Sequence, residues 1–258
     1  MTTISLTIVS KNECHNIAAC IESAPFVNQV VVIDSGSTDG TVEIALAHGA
    51  DVEQSADWRG FGVQKNRALA RATGDWVLSL DADERLTPAL VSEICAHICA
   101  ADKSASAVVL AIPRLTNFCG TWIRHCGWTP DYVVRVFKRG TATFSDDLVH
   151  ERLIFDERTT RVVRLKNPIL HHSYPNPSVF WSKLQKYSLE WATQKHAEGQ
   201  TATVLRASLS AVAAFVKSYV FRLGFLDGAM GFAVCVIQAQ FAFGKYFQLY
   251  CLGRNDKG

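Results

Sequence analysis

Between Trp76 and Glu84 the sequence reads as a buried strand, Trp76-Val77-Leu78-Ser79-Leu80, that ends in three acids, Asp81, Asp83 and Glu84. Three carboxylates within four residues repel one another unless a cation sits among them. They cannot approach a diphosphate directly either. A hard divalent cation, Mg²⁺ or Mn²⁺, resolves both difficulties by taking carboxylate oxygens on one side and phosphate oxygens on the other. It would also neutralise charge developing on a nucleoside-diphosphate leaving group. Asp83 and Asp81 are therefore candidate metal ligands. An isolated Asp-x-Asp is a weak signal, but here it closes a hydrophobic strand and adjoins a third acid.

A second strand, Val30–Asp34, also ends on a carboxylate, and the small-residue turn Ser35-Gly36-Ser37-Thr38-Asp39-Gly40 then opens a helix. Ligands of open α/β sheets bind beyond the carboxyl ends of the strands, where Asp34 can accept hydrogen bonds from a ribose or a base N–H. The rival reading is that Asp34 and Asp39 only organise the turn. Between the two acidic strands lies Gly60-Phe61-Gly62-Val63-Gln64-Lys65-Asn66-Arg67. Its cations suit either bracing donor phosphates or holding Asp81, with a solvent-facing helix start as the plain alternative. Trp122, Arg124, His125 and Trp128 precede Arg135 as an aromatic-basic cluster. Aromatic faces suit sugar rings and arginines suit phosphates, which makes Trp128, Arg124 and Arg135 candidate acceptor contacts. Core packing explains the tryptophans equally well.

The elements that must position these residues alternate short β-branched runs with helical stretches. Strands are expected at Ile4–Val9, Val30–Asp34, Ala50–Gln54, Trp76–Leu80, Val108–Ile112 and Tyr132–Lys138. Helices are expected near Asn16–Ser23, from a cap at Thr38 or Asp39 to His48, at Phe61–Ala72, and at Pro88–Ala101. This alternation predicts an α/β fold, a Rossmann-like mainly parallel sheet with helices on both faces. After Pro175 and Pro177 the pattern becomes helical, with stretches at Val179–Glu198, Ala202–Phe221 and Gly228–Tyr250. The division predicted is a catalytic domain over residues 1–175 and a basic, aromatic-rich helical tail over 176–258.

Charge divides in the same way. Through residue 160 there are 14 Lys and Arg against 20 Asp and Glu; from Arg161 onward there are 12 against 4. The acidic front part argues against a nucleic-acid groove and suits cation-assisted chemistry, while the basic back part suits an anionic membrane surface or acceptor. The uncharged run Gly228–Gly244 falls just short of spanning length and is rich in aromatics, which favours an interfacial helix over a transmembrane one, with an ordinary buried helix as the rival. The eight cysteines show no zinc spacing and no signal peptide precedes them, so they are read as reduced and cytosolic, with Cys95 and Cys99 as buried small hydrophobes.

Taken in order, Ser10-Lys11-Asn12-Glu13, Asp34…Asp39-Gly40-Thr41, Gln64-Lys65-Asn66 and Asp81-Ala82-Asp83 resemble glycosyltransferase family 2, whose fold is GT-A. The resemblance covers roughly the first half of the chain, and the ordered set is far more specific than any member alone. It implies Glu13 and Asp34 on the nucleoside, Asp81 near the ribose or metal, Asp83 on the metal, and an inverting single displacement. The nucleotide-sugar-binding set is then Ser10, Glu13, Asp34, Asp39, Lys65 and Asp81. Inversion needs a base for the acceptor hydroxyl. The family's usual Glu-Asp pair is missing, and Asp146-Asp147-Leu148-Val149-His150-Glu151 stands in its place. This Val-His-Glu segment resembles bacterial lipopolysaccharide-core glucosyltransferases that act on the inner-core heptose. Glu151 is the expected base and Asp147 the second candidate; a structural pair with Arg152 or Arg135 is the alternative for Glu151. His171 is a further candidate for the metal or diphosphate.

The resemblance thus implies a metal-dependent transfer of a hexose, glucose from UDP-glucose, to a lipopolysaccharide-core or related glycolipid acceptor, on the inner face of the cell membrane. A polyprenyl-phosphate acceptor is the variant within the family. A sugar-phosphate nucleotidyltransferase is disfavoured, because Ser10-Lys11-Asn12-Glu13 stands where a glycine-rich basic loop belongs. A non-catalytic nucleotide-sugar-binding protein is the remaining rival.

Overall fold

The structure is a computed structural model and describes residues 2–104, 107–145 and 151–255. Strand β1 (Ile4–Ser10) alternates Ile4, Leu6 and Ile8 with Ser5 and Thr7, and all five are buried. A strand covered on both faces belongs inside a parallel sheet. Around it run α1 (Ile17–Glu22), β2 (Gln29–Asp34), α2 (Thr41–Ala47), β3 (Asp51–Gln54), α3 (Phe61–Arg71), β4 (Trp76–Asp81), the short β5 (Glu84–Arg85) and α4 (Pro88–Asp102). The strands β3, β2, β1 and β4 are neighbours in that order and all parallel.

Beyond β4 the sheet turns antiparallel. The later strands are β6 (Ala107–Phe118), β7 (Thr121–Ile123), β8 (Asp131–Lys138), β9 (Ala142–Phe144), β10 (Leu153–Phe155), β11 (Thr160–Arg164) and β12 (Ile169–Tyr174). The full order is β3-β2-β1-β4-β8-β6-β12-β5, with β11 beside β6, while β9 and β10 form a separate hairpin. On one face Ile4, Leu6, Val32, Leu78 and Leu80 pack against Ile17 and Cys20 of α1 and Leu90, Ile94 and Ile98 of α4. On the other face Val31 and Ile33 pack against Ala68 of α3. The predicted α/β fold, a mainly parallel Rossmann-like sheet with helices on both faces, is the one observed.

Two details of the helices differ from the sequence reading. Gly40, in the left-handed conformation, holds the cap position of α2, so neither Thr38 nor Asp39 does. The inward face of α4 is Leu90, Ile94 and Ile98, which leaves Cys95 half-buried and Cys99 exposed.

Contacts divide the chain into two compact units, Met1–Arg114 with Asp131–His171, and Leu115–Pro130 with His172–Gly258. The boundaries fall inside β6, at the start of β8 and inside β12. The second unit therefore contains the end of β6 and β7 as well as the helices α5 (Pro177–Ala197), α6 (Val204–Val216) and α7 (Gly228–Asn255). Its core is Phe118, Ile123, Cys126, Phe180, Val234, Cys235 and Ile237, with Trp128 and Tyr174 packed on it. The connection from α6 to α7 is a π-helical turn, Lys217–Phe221, and a 3₁₀ turn, Gly224–Asp227. A methyl group on Gly231 would lie 2.0 Å from the Gly224 carbonyl oxygen, so only glycine fits where α7 starts under that turn. Asp227 fastens the turn by accepting from the backbone N–H groups of Arg124 and His125. Both Val204–Phe221 and Gly224–Arg254 are long and apolar enough to cross a membrane.

Candidate functional site

Register places the first two acids. Ser10 of β1 lies opposite Asp34 of β2, and Val9 lies opposite Asp81 of β4. Since the three strands are parallel, Asp34 and Asp81 flank the carboxyl end of β1 on one edge of the sheet. This is the edge where open α/β sheets bind ligands.

Asp34 is fully buried. Its Oδ1 accepts from the N–H groups of Gly36 and Ser37, and its Oδ2 accepts from the hydroxyls of Ser10 and Ser37. The carboxylate thus shapes the turn after β2 and ties it to β1. Asp39 is exposed and takes the N–H and hydroxyl of Thr41 and the N–H of Cys14. The Thr41 hydroxyl, with help from the Cys14 N–H, holds its carboxyl well below the ordinary range. Glu13 is half-buried; its N–H donates to the Thr41 hydroxyl and its Oε2 accepts from Asn16. Ser10, Glu13, Asp34 and Asp39 therefore belong to one loop cluster at the ends of β1 and β2.

Next to it stands a chain of alternating charges. Lys65 of α3 is buried, and its Nζ lies 2.9 Å from Asp81 Oδ1 and 2.7 Å from Glu151 Oε1. Arg135 of β8 is also buried, with Nη2 at 2.5 Å from Asp81 Oδ2 and 2.6 Å from Glu84 Oε1. Glu84, wholly out of solvent, also accepts from the Asp81 N–H. The order is Glu151–Lys65–Asp81–Arg135–Glu84. Burial pushes the Asp81 carboxyl up, but the Arg135 and Lys65 charges outweigh it and hold it well below the usual carboxylate value. Burial alone would lower the Arg135 guanidinium; Asp81 and Glu84 raise it instead. The repulsion expected among the three acids is thus relieved for Asp81 and Glu84 by protein cations.

Asp83 has a different neighbour. Its Oδ2 lies 3.4 Å from His171 Nε2, and His171 stands opposite Glu84 in the β12–β5 pairing. Among the described residues no group of three His, Cys, Asp or Glu side chains is gathered for a metal ion. A carboxylate beside an imidazole nevertheless fits a cation that completes its shell with phosphate oxygens and water, the usual habit of Mg²⁺ and Mn²⁺ at diphosphates. The donor set that fits is Asp83 with His171, while both oxygens of Asp81 are engaged by Lys65 and Arg135.

Two of the expected acceptor contacts are engaged within the protein, Trp128 in the core packing that was its alternative reading, and one site residue cannot be placed. Arg135 is buried on Asp81 and Glu84, and Trp128 packs against Phe118, Tyr174 and Phe180 in the second unit. Arg124, in the same unit, is exposed. Asp147 lies outside the described residues. Glu151 pairs with Lys65, a partner that was not foreseen. Sequence reading quoted Gln64 and Asn66 in a motif but gave neither a role. The Gln64 amide donates to Ser35 Oγ and the Ser55 carbonyl. The Asn66 amide exchanges two hydrogen bonds, of 2.9 and 2.8 Å, with the backbone of Phe144 in β9. Three consecutive residues of α3 therefore bind the β2 turn, the Asp81–Glu151 pair and β9. Their adjacency was visible in the sequence, but partners 78 residues away were not.

The fold and this edge define an α/β protein whose candidate site lies at the carboxyl ends of its parallel strands. The chain belongs to glycosyltransferase family 2, whose model, "Glycosyl transferase family 2", matches residues 5–174. It acts with a nucleotide-sugar donor and an acceptor, as the family does. An uncharacterised glycosyltransferase of Rickettsia typhi is 30% identical over 96% of this chain and 86% of its own length. The lipopolysaccharide core biosynthesis glycosyltransferase LpsC of Rhizobium meliloti is 26% identical over 96% of this chain and 93% of its own. Among solved structures, glucosyl-3-phosphoglycerate synthase from Mycobacterium tuberculosis, in complex with Mn²⁺, UDP and phosphoglyceric acid, is 25% identical. That match covers 46% of this chain and 44% of the other, with a TM-score of 0.36.

Proposed function

We propose that the protein is an inverting hexosyltransferase that moves glucose from UDP-glucose to a lipopolysaccharide-core or related glycolipid acceptor. The observation that carries this is the shared strand-end edge, where Asp34, Asp81 and Asp83 stand with Glu151 bridged to Asp81 through one lysine. The loop cluster of Ser10, Glu13, Asp34 and Asp39 takes the nucleoside, and Lys65 and Asp81 border the diphosphate. Glu151 removes the proton from the acceptor hydroxyl, with Asp147 as the second candidate. The hydroxyl oxygen then bonds to the anomeric carbon while the bond to the diphosphate breaks on the opposite side and the diphosphate leaves with its electron pair. Asp83 and His171 are the residues that would hold Mg²⁺ or Mn²⁺. Such a cation, when bound, neutralises charge building on the diphosphate.

Arg124 and Trp128 suit the phosphates and sugar rings of the acceptor, and Arg135 serves through its grip on Asp81. The likeness to LpsC over most of both chains supports the lipopolysaccharide assignment. The basic second part of the chain supports a place on the anionic inner face of the cell membrane. The two long apolar helices also favour a second reading, a polyprenyl-phosphate acceptor.

A panel of nucleotide sugars tests the proposal, with glycolipid extract or polyprenyl phosphate as acceptor and with or without EDTA. UDP-glucose should be used best, EDTA should abolish transfer, and Glu151→Gln should cut kcat by about 10²–10⁴-fold with donor KM little changed. Transfer indifferent to EDTA would remove the metal, and transfer from no nucleotide sugar would remove the reading itself.

A further inference from the structure

The sequence directs attention to Gly228–Gly244 as the membrane-facing run, but the structure presents a different surface. Within the second unit, α7 gives Val234, Cys235 and Ile237 to the core. Helix α6 buries Ala207, packs Phe215 on that core and lies along α7. Its outer side carries Leu205, Leu209, Val212 and Val216, exposed by 68, 60, 62 and 38%. At 3.6 residues per turn these four fall within an arc of roughly 60°, and Ala207 lies diametrically opposite. Val220, Phe221, Phe225 and Leu226 continue the exposed apolar surface through the turns that follow.

Charge says what covers this stripe. Residues 199–226 contain no acidic side chain and three basic ones, Arg206, Lys217 and Arg222. Arg206 lies about a quarter-turn to one side of the stripe, its guanidinium over the Tyr246 ring. An apolar helix face in a stretch whose charges are all positive matches an anionic bilayer surface, where the apolar residues sink below the headgroups and the cations meet them. A second copy of the chain would bring the same cations face to face.

We infer that α6 and the turns after it form a monotopic membrane-docking face, with the Leu205–Val216 stripe lying in the plane of an anionic lipid surface. This rests on the glycolipid-acceptor reading and gives that reading its lipid-contacting residues.

The full-length protein is floated with phosphatidylglycerol–phosphatidylcholine vesicles, beside a Leu209→Glu/Val212→Glu variant. A Leu46→Glu variant on α2, where Leu46 is 55% exposed, serves as control. UDP titration and transfer to a delipidated, water-soluble core oligosaccharide report separately on folding and reaction. The expected result is vesicle binding by the wild type and the control, and about tenfold less by the double variant, with UDP binding equal in all three. Equal flotation of all three would overturn the assignment to α6. A wild type that never floats would overturn membrane docking altogether, while transfer to the soluble acceptor would still judge the reaction. A wild-type dimer in solution that the double variant splits, with no flotation, would overturn the inference in favour of a second copy.

Discussion

At the scale of single residues, the alternating charges from Glu151 to Glu84 explain how one lysine and one arginine are kept out of solvent. Each cation touches two carboxylates, so losing one carboxylate weakens the pairing of a buried cation, while losing a cation leaves a carboxylate at the end of the chain without it. Asp81 sits between both cations and titrates below its ordinary value because of them. The stability this adds is complete above the unfolded value, about 3.9. It is lost as pH falls from there through the lowered folded value. Asp81→Asn should therefore cost roughly 2 kcal/mol near neutral pH, less than a fully buried pair because Asp81 is partly exposed. It should also flatten the decline of Tm between about pH 5 and 2. Melting curves across that range decide it; a variant that loses stability with acid as steeply as the wild type would show that Asp81 does not carry the acid sensitivity.

At the scale of elements, α3 is the hub. Its side chains at 64, 65 and 66 diverge to three different parts of the first unit, so the helix sets the spacing between the β2 turn, Asp81 and the segment that leads to Glu151. Asn66→Ala would leave the Phe144 N–H and C=O without their partners, at about 1–3 kcal/mol. It should lower kcat about tenfold through the loosened Glu151 while donor affinity holds, because a base displaced by a fraction of an ångström loses its alignment. Thermal melts and steady-state kinetics on the same preparation separate the two effects; intact kcat with lowered Tm would confine Asn66 to stability. The strands β1, β2 and β4 and the helices α3 and α4 were legible because each is long or strongly patterned and bounded by turn residues. The pieces β5, β7, β9 and β10 were not, since runs of two or three residues are ordered by partners that only the folded chain supplies. The same holds for side chains. Acids at strand ends announce themselves by position, whereas the partnership of Lys65 with Glu151, 86 positions further on, has no local signature.

At the scale of the whole molecule, the helical part is not an appendage that begins at residue 176. The segment 115–130 shares its core, through Phe118, Ile123 and Cys126. A chain ended at residue 175 should therefore expose these side chains, bind a hydrophobic dye and sediment as aggregates, where a detachable tail would leave a soluble, cooperatively melting product. Centrifugation and dye fluorescence of the shortened protein distinguish the two outcomes.

The chain passes between the two units three times, once directly after His171. His171 is the last residue of the first unit and His172 resumes the second, with both inside one hydrogen-bonded strand. The backbone ladder that sets His171 opposite Glu84 therefore also governs how far its imidazole stands from Asp83, so two paired residues control both the strand's fit and that imidazole–carboxylate spacing.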